Sequence, residues 1–557
     1  MVLDVIDSGM KSEDEVLKDE GFQQDELNET QNSALKMALN EKRKVVCIQG
    51  APGTGKTYVL AHLLAVLLFK NKQAIVLAPT KEALKNIMNM TEKVFKEKNL
   101  QFHDKTLMDQ VKFEQAVNDS PAAKDAQNKI AQWDEKFKNK KLLFEDFYEM
   151  RKNLINCTLA EAGTEIMKQT RFVFATIQSS FVTTAMRYKV FDPCMSVIDH
   201  AEQVMETQKW PAELKMKRIV MAGDPKQLGA LVLSPEAKAA NLEESIMDRI
   251  IHNKEKFSWI MLVEQYRCHP KIIEWSKKSF YGDALENRTN EKNTIHTSFQ
   301  FEAPTSFRQL FDAVAFVDTS AEKDPVNRES LYERISKESD PNEEGKSSNS
   351  YINKGEARLV ILHYIHLREL GIEAKNIAII TPYKGQVELI KQGMANLTKD
   401  WKDLSCTETK IETVDSVQGQ EFDCVIFSMV RSNPRRTMGF VSDLRRLNVV
   451  MTRAKRHLMF IGNAYLMANS WQTPIKKLFY ELNKNRFHPK HVGYQHAELW
   501  PRVTDNFGYN FDVFVKVSND PDMIKWCAEY VENQSKPGFM QQQREKRAVN
   551  ARKFGKN

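Results

Sequence analysis

Between the apolar tetrad Val45-Val46-Cys47-Ile48 and the apolar run Val59 to Phe69 lies Gly50-Ala51-Pro52-Gly53-Thr54-Gly55-Lys56-Thr57. A strand, a glycine-rich turn and then a helix is a combination few folds accommodate. The glycines let backbone N–H groups turn inward on one point, and the N-terminus of the following helix adds favourable partial charge there. Such a concavity suits phosphate oxygens. Gly50, Gly55, Lys56 and Thr57 match the spacing G-x-x-x-x-G-K-[ST], with Ala51, Pro52, Gly53 and Thr54 filling the cradle. Lys56 is expected to reach the β- and γ-phosphates of ATP, and Thr57 to bind Mg²⁺. A cradle of this kind needs a metal-holding carboxylate at the end of another buried strand. Ser196-Val197-Ile198-Asp199 supplies one, which makes Asp199 the second metal ligand.

The strand before the cradle has company. Ala74 to Leu77, Phe172 to Phe174, Val197-Ile198 and Ile219 to Met221 are short apolar runs in the first half; Ile377 to Ile380, Val425 to Phe427 and Leu458 to Ile461 are their counterparts in the second. They lack the alternation of a half-exposed sheet and read as strands buried on both faces. Segments of helical period separate them, so the expected fold class is α/β, with two tandem parallel-sheet domains. Two stretches break the rhythm. Residues 91–170 are polar with apolar residues at helical spacing, such as Trp133 and Phe137, and Asn118-Asp119-Ser120-Pro121 reads as a turn between helices. This is expected to be a helical hairpin inserted in the first domain. Residues 321–353 are rich in Ser, Glu, Asn and Lys and are expected to form a long mobile loop.

A chain of 557 residues is too long for one core, and 42% hydrophobic against 28% charged residues allows a large folded interior. The expected layout is an N-terminal extension over 1–24, a first domain over 25–255, a second over 256–490 and a tail over 491–557. The net charge of +7 permits a polyanion partner without requiring one. None of the seven cysteines forms a C-x-x-C pair, which argues against a zinc or iron–sulfur site and for reduced thiols inside the cell, in nucleus or cytoplasm. The acidic start lacks the apolar core of a signal peptide, and Val59 to Phe69 is too short to cross a bilayer, so no membrane association is expected. The basic stretch Arg544 to Lys556 reads as a solvated end or a nucleic-acid contact.

Further motifs occur in a fixed order. They are Leu27 to Gln31, Ala78-Pro79-Thr80, Ala175-Thr176, Gly223 to Leu228, Glu264 to Arg267, Thr381-Pro382-Tyr383 with Gln386, Val414 to Glu421, and Arg446 to Lys455. Together they resemble superfamily 1 helicases, in particular the nonsense-mediated-decay and senataxin-like branch, from about Leu27 to Asn463. The resemblance implies two RecA-like P-loop domains and an ATP-dependent helicase or translocase, monomeric, moving 5′ to 3′ on single-stranded RNA or DNA. It implies that Gln31 reads the adenine edge and that Tyr266 stacks on adenine. Gln227 would couple the γ-phosphate to the bound strand, Arg267 and Arg453 would act as arginine fingers, and Glu421 would face the nucleotide. The nucleotide would sit in the cleft between the domains and be completed by their closure. Arg431, Arg435, Arg436 and Arg445 read as surface salt bridges or as a phosphate-facing rim.

Two departures qualify this. The family's motif II reads Asp-Glu-Ala-x-Gln; here it is Asp199-His200-Ala201-Glu202-Gln203. The missing Glu orients and deprotonates the attacking water. A neutral imidazole at His200 can accept a proton, so the chain hydrolyses ATP through His200 or a water chain, binds it as a nucleotide-gated clamp without hydrolysis, or is a degenerate copy with a purely structural role. Glu202 is read as a linker residue or a structural partner of motif III. Relatives in the branch also often carry a β-barrel before Leu27, for which the 26 preceding residues are too few. Strand grip would then rest on the helical insertion and the two motor domains.

Overall fold

The computed structural model describes residues 26–487, apart from 140–142, 206–215, 233, 254–256, 291, 293, 296–309, 321–330, 339–347, 401–406, 434 and 485. The expected N-terminal extension, the tail and its basic stretch lie outside the described residues. The chain divides into two compact units, the first ending at Gln265 and the second beginning at Tyr266.

Unit 1 opens with helix α1 (Glu29–Leu39). Asn28 starts it: its side chain accepts the Gln31 N–H at 2.8 Å, and the Gln31 side chain accepts the Asn28 N–H at 3.1 Å. This reciprocal cap satisfies two donors that no helix bond could reach. Seven strands follow: β1 (Val45–Gly50), β2 (Ala74–Ala78), β3 (Leu107–Met108), β4 (Phe172–Thr176), β5 (Met195–Ile198), β6 (Ile219–Gly223) and β7 (Ser258–Leu262). They form one sheet in the order β3-β4-β2-β5-β6-β1-β7, parallel throughout.

Alternate residues of each strand serve opposite faces. Val46, Ile48, Val76, Val197 and Val220 pack with Leu35, Leu60, Leu64 and Val94 on one side. Cys47, Ile75, Leu77, Ile198 and Met221 pack with Ile166, Phe181 and Met247 on the other. A sheet covered on both faces has no use for polar alternation, which is why its strands read as unbroken apolar runs. Helix α2 (Lys56–Phe69) follows the cradle and is buried at every position from Val59 to Leu67. That accounts for its lack of a polar stripe.

The inserted region is more than a hairpin. Helix α3 (Lys81–Glu97) runs into it, because Val94 and Phe95 belong to the core. Strand β3 then joins the sheet edge, and α4 (Gln110–Asn118), α5 (Pro121–Lys138) and α6 (Phe144–Gln169) follow. Asn118 to Pro121 is the turn between two of these helices, with Ser120 Oγ accepting the Ala123 N–H at 3.1 Å. Phe137 of α5 stacks on Phe147 of α6 with ring centroids 5.2 Å apart.

Unit 2 repeats the plan. Its strands are β8 (Val314–Asp318), β9 (Arg334–Glu338), β10 (Ser348–Ile352), β11 (Ile377–Thr381), β12 (Lys410–Thr413), β13 (Phe422–Ser428), β14 (Ala454–Gly462) and β15 (Arg486–Phe487), with helices α7 (Lys354–Glu369), α8 (Lys384–Asp400) and α9 (Leu444–Met451). Six of the strands make a parallel sheet in the order β12-β11-β13-β14-β8-β15. One face packs Ala315, Val317, Ile379, Ile426 and Met459 against Leu359, Leu362 and Ile365 of α7. Strands β9 and β10 pair antiparallel, so the described ends of the expected polar loop form a hairpin. Its two strands, Arg-Ile-Ser-Lys-Glu and Ser-Asn-Ser-Tyr-Ile, are mostly polar, which is how such a segment passes for a loop. No helix among the described residues is long and apolar enough to cross a membrane.

Candidate nucleotide site

In unit 1, strands β5, β6 and β1 are neighbours in the sheet. The loops at their carboxyl ends carry Asp199-His200, Asp224 to Gln227, and Gly50 to Thr57. Parallel α/β sheets bind ligands at that end of their strands.

The cradle takes its shape from its glycines. Gly53 and Gly55 have φ of 78° and 82°, which other residues rarely adopt. A side chain at Gly55 would also strike the Gln31 amide, and one at Gly50 would strike the Thr54 hydroxyl and Lys56. Thr54 Oγ1 donates to Ala51 O at 2.8 Å and closes the turn. Lys56 Nζ donates to Gly50 O at 2.6 Å and Ala51 O at 3.4 Å, so its ammonium lies against the cradle itself. Gln31 was expected to read adenine. Its amide instead braces the loop: Nε2 donates to Thr54 O at 3.0 Å while Oε1 caps α1, and the residue is buried.

Thr57 Oγ1 donates to Asp199 Oδ2 at 2.8 Å. Two neighbouring ligands of an octahedral Mg²⁺ at ~2.1 Å stand about 3 Å apart, so this hydroxyl–carboxylate pair fits a hard cation that takes its other ligands from phosphate and water. Asp199 is buried, and its other oxygen accepts the His200 N–H at 3.0 Å.

His200 stands where the resemblance implies Glu. Its backbone is left-handed, with φ 53° and ψ 45°. The ring Nδ1 is 3.2 Å from Glu202 Oε1, and Glu202 Oε2 accepts the Asp224 N–H at 3.0 Å. Glu202 is therefore tied to motif III, one of the two roles expected of it, and it also holds His200. Burial would raise the Glu202 carboxyl, but the bond and charge of His200 reverse this and leave it below the usual carboxylate range. Burial would lower His200, yet Asp199 and Glu202 together raise it. Gly223 makes room for the arrangement, since a side chain there would strike Glu202 Oε2. Gln227 Nε2 donates to Asp224 Oδ2 at 2.7 Å, which places it in the same network. Sequence reasoning missed the His200 clamp, because a contact two residues along an irregular turn leaves no periodic trace. It also missed Gly223 as a space requirement.

In unit 2, Arg267 Nε donates to Glu421 Oε2 at 2.7 Å, and Lys455 Nζ lies 2.8 Å from the other oxygen. Burial would raise Glu421, but Arg267 and Lys455 bring it down to about 2. The neighbouring Tyr266 is about half exposed. Arg453 was expected to be the second finger. It is buried, with Nε on Val449 O at 3.0 Å, Nη1 on Gln420 O at 3.0 Å and Nη2 on Thr452 Oγ1 at 3.2 Å. Burial, with the Arg267 charge close by, pulls its guanidinium down to about 9. In this structure Arg453 braces its own loops. Arg431 pairs with Glu333 at 2.8 Å in a buried setting, a salt bridge as expected but not a surface one.

The chain is similar to several known proteins. Family models for AAA domains match residues 26–112, 80–235 and 242–465. The chain is 29% identical over 456 residues to the DNA polymerase alpha-associated DNA helicase A of Schizosaccharomyces pombe, covering 79% of this chain and 64% of that protein. It is 29% identical over 456 residues to the regulator of nonsense transcripts 1 homolog of Neurospora crassa, covering 79% of this chain and 37% of the relative. To the DNA-binding protein SMUBP-2 of Rattus norvegicus it is 27% identical over 467 residues, covering 80% and 43%. It thus spans between 37% and 64% of the length of these relatives. By its motifs, its parallel sheets and these relatives, the chain belongs to the superfamily 1 helicases, in the nonsense-mediated-decay and senataxin-like branch.

Proposed function

We propose that the protein is an ATP-dependent translocase or helicase acting on single-stranded RNA or DNA, 5′ to 3′, with ATP hydrolysis driving closure of its two RecA-like domains. The observation that carries the reading is the Thr57–Asp199 pair at 2.8 Å beside a cradle whose glycines and Lys56 are in place. Lys56 would leave the cradle carbonyls for the β- and γ-phosphates, a stronger charged partner. Thr57 and Asp199 would hold Mg²⁺, which neutralises phosphate charge when bound. Arg267 would serve as the finger and Tyr266 as the adenine platform. Affinity for the strand would rest on backbone electrostatics and base stacking, and would fall steeply with salt. The relatives named above include proteins named for DNA and one named for nonsense transcripts, so both polymers belong in the assay.

His200 supports a second reading, in which ATP gates the grip on nucleic acid without being cleaved. Steady-state ATP turnover with single-stranded RNA and DNA separates the two. Wild type should exceed Lys56→Ala by on the order of 10²–10³-fold. Equal rates would discard the enzyme reading; a strand gel shift that responds to a non-hydrolysable ATP analogue would then establish the clamp.

A further inference from the structure

The family pattern has a carboxylate at position 200 and an unspecified residue at 202. Here the carboxylate occupies 202 and an imidazole occupies 200. The structure joins the two changes. Glu202 is 1% exposed, and its two oxygens do different work: Oε1 meets His200 Nδ1 at 3.2 Å, and Oε2 accepts the Asp224 N–H at 3.0 Å. A carboxylate has no proton to give, so the proton of the first contact sits on Nδ1. In the neutral ring that tautomer carries its acceptor lone pair on Nε2, the ring nitrogen remote from the carboxylate.

Three features keep the clamp in register. Gly223 leaves no side chain in the space Glu202 Oε2 occupies. The Asp224 amide fixes the far side of the carboxylate. The left-handed backbone at His200, tolerated by few residues other than glycine, sets the direction from which its side chain departs. The same loop is continuous with Gln227 through its bond to Asp224 Oδ2.

We propose that Glu202 is a positioning residue for hydrolysis: it holds the His200 ring in the Nδ1–H tautomer so that Nε2 takes the proton of the attacking water. This rests on the hydrolysis reading above. In the step, the water oxygen bonds to the γ-phosphorus and the bond from that phosphorus to the β–γ bridging oxygen breaks. ADP leaves with the electron pair. The water proton passes to Nε2 and then to solvent, giving ADP, phosphate and a proton. A carboxylate holding a catalytic histidine in one tautomer is a general device on unrelated folds. Here it stands in for a carboxylate base, and Glu202 ties the base to the motif III loop.

The test uses the full chain with saturating ATP and single-stranded RNA. Turnover is measured for wild type, Lys56→Ala, Glu202→Ala, Glu202→Gln, His200→Ala and the double variant His200→Ala/Glu202→Ala. Nucleotide affinity is followed with a fluorescent ATP analogue. Glu202→Ala should lose about 10²-fold in kcat, the lower end of the ~10²–10⁴-fold range of general base catalysis, with affinity within about twofold of wild type. In the His200→Ala background, removing Glu202 should change kcat by no more than about twofold, because the residue acts through the ring. Glu202→Gln keeps the side chain's shape but offers a single acceptor oxygen where His200 and the Asp224 amide approach opposite oxygens, so it should lose activity even where Glu202→Ala fails to fold. Full activity in Glu202→Gln, or an undiminished loss on removing Glu202 from His200→Ala, would overturn the inference alone. Wild type no faster than Lys56→Ala would overturn it together with the hydrolysis reading.

Discussion

The two units build their motif loops by different means. In unit 1 the backbone does most of the shaping: Gly53 and Gly55 take conformations that other residues resist, and Gly50 and Gly223 leave room for Lys56 and Glu202. The polar side chains there meet across the loops, as Thr57 meets Asp199 and Glu202 meets the Asp224 amide. In unit 2, long charged side chains shape the loops. Arg453 holds Val449 O and Gln420 O, Arg431 holds Glu333, and Glu356 gathers donors from Ser428 and Val430. The difference bears on what a motif can reveal. A glycine loop shows its function in the sequence because its chemistry requires those residue types at that spacing. An arginine in a motif is ambiguous, because a finger and a brace are the same letter.

Arg267 and Arg453 allow the sharpest attempt to break that contrast. Arg267 is held at 2.7 Å by Glu421, a carboxylate that also has Lys455. Arg267→Ala should therefore leave unit 2 folded and lower ATP turnover by about 10³-fold or more, the lower range for an arginine finger. Arg453→Ala removes a buried side chain with its hydrogen bonds to Val449 O, Gln420 O and Thr452 Oγ1 and should lower stability by on the order of 3 kcal/mol, at ~0.5–1.5 kcal/mol net for each bond. Turnover and a denaturant midpoint, measured on both variants, decide the matter. An Arg453→Ala protein of wild-type stability with collapsed turnover would make Arg453 a finger after all, reached by a rearrangement of its loop.

This pair also marks how far the sequence could be read. The glycine-rich turn, Asp199 at the end of a buried strand and the strands that carry them are legible because burial on both faces leaves apolar runs and a tight turn before a helix leaves a fixed glycine spacing. The Asn118 to Pro121 turn was legible for the same kind of reason, a local rule about caps and proline. Strands β3 and β15 have two residues each, too few to show a period. Strand β8 is as apolar as those recognised, so its signal was present and passed over. What the sequence could not show is which partner each polar side chain finds. Arg453 meets Gln420 across 33 residues, and Gln31 meets Thr54 across 23. Such pairs depend on tertiary placement, which no local pattern encodes.

A smaller effect probes the buried carboxyl of unit 2. Glu356 lies under Val430, whose φ of 67° is unusual for a β-branched residue. Val430 N–H and Ser428 Oγ each donate to Glu356 Oε2 at 2.7 Å. Burial outweighs these donors and pushes the carboxyl up to about 7 from 4.5. The folded protein thus keeps a proton that the unfolded chain releases above pH 4.5. Stability should fall as pH rises from 4.5 to 7, by on the order of 3 kcal/mol for this group alone. Unfolding by denaturant at pH 5 and pH 8 should show a larger loss for wild type than for Glu356→Gln, which has no proton to release. Equal losses would place the pH dependence elsewhere and weaken the view that unit 2 is organised by buried charge.

The smallest effect concerns Gln31, where unit 1 itself relies on a side-chain brace. Its amide joins the Asn28 N–H to Thr54 O, linking the cap of α1 to the cradle. Asn28→Ala removes the other half of that cap and should lower stability by about 1 kcal/mol. Gln31→Ala loosens the cradle as well, so nucleotide affinity should drop. If Gln31 acts as this brace, affinity for ATP and GTP should fall together, since the phosphates are common to both. If it reads the adenine edge, ATP affinity should fall while GTP affinity holds. Titrating the two nucleotides against wild type and Gln31→Ala separates these outcomes. The geometry favours the parallel loss, because both ends of the Gln31 amide are engaged within the chain and the residue is 4% exposed.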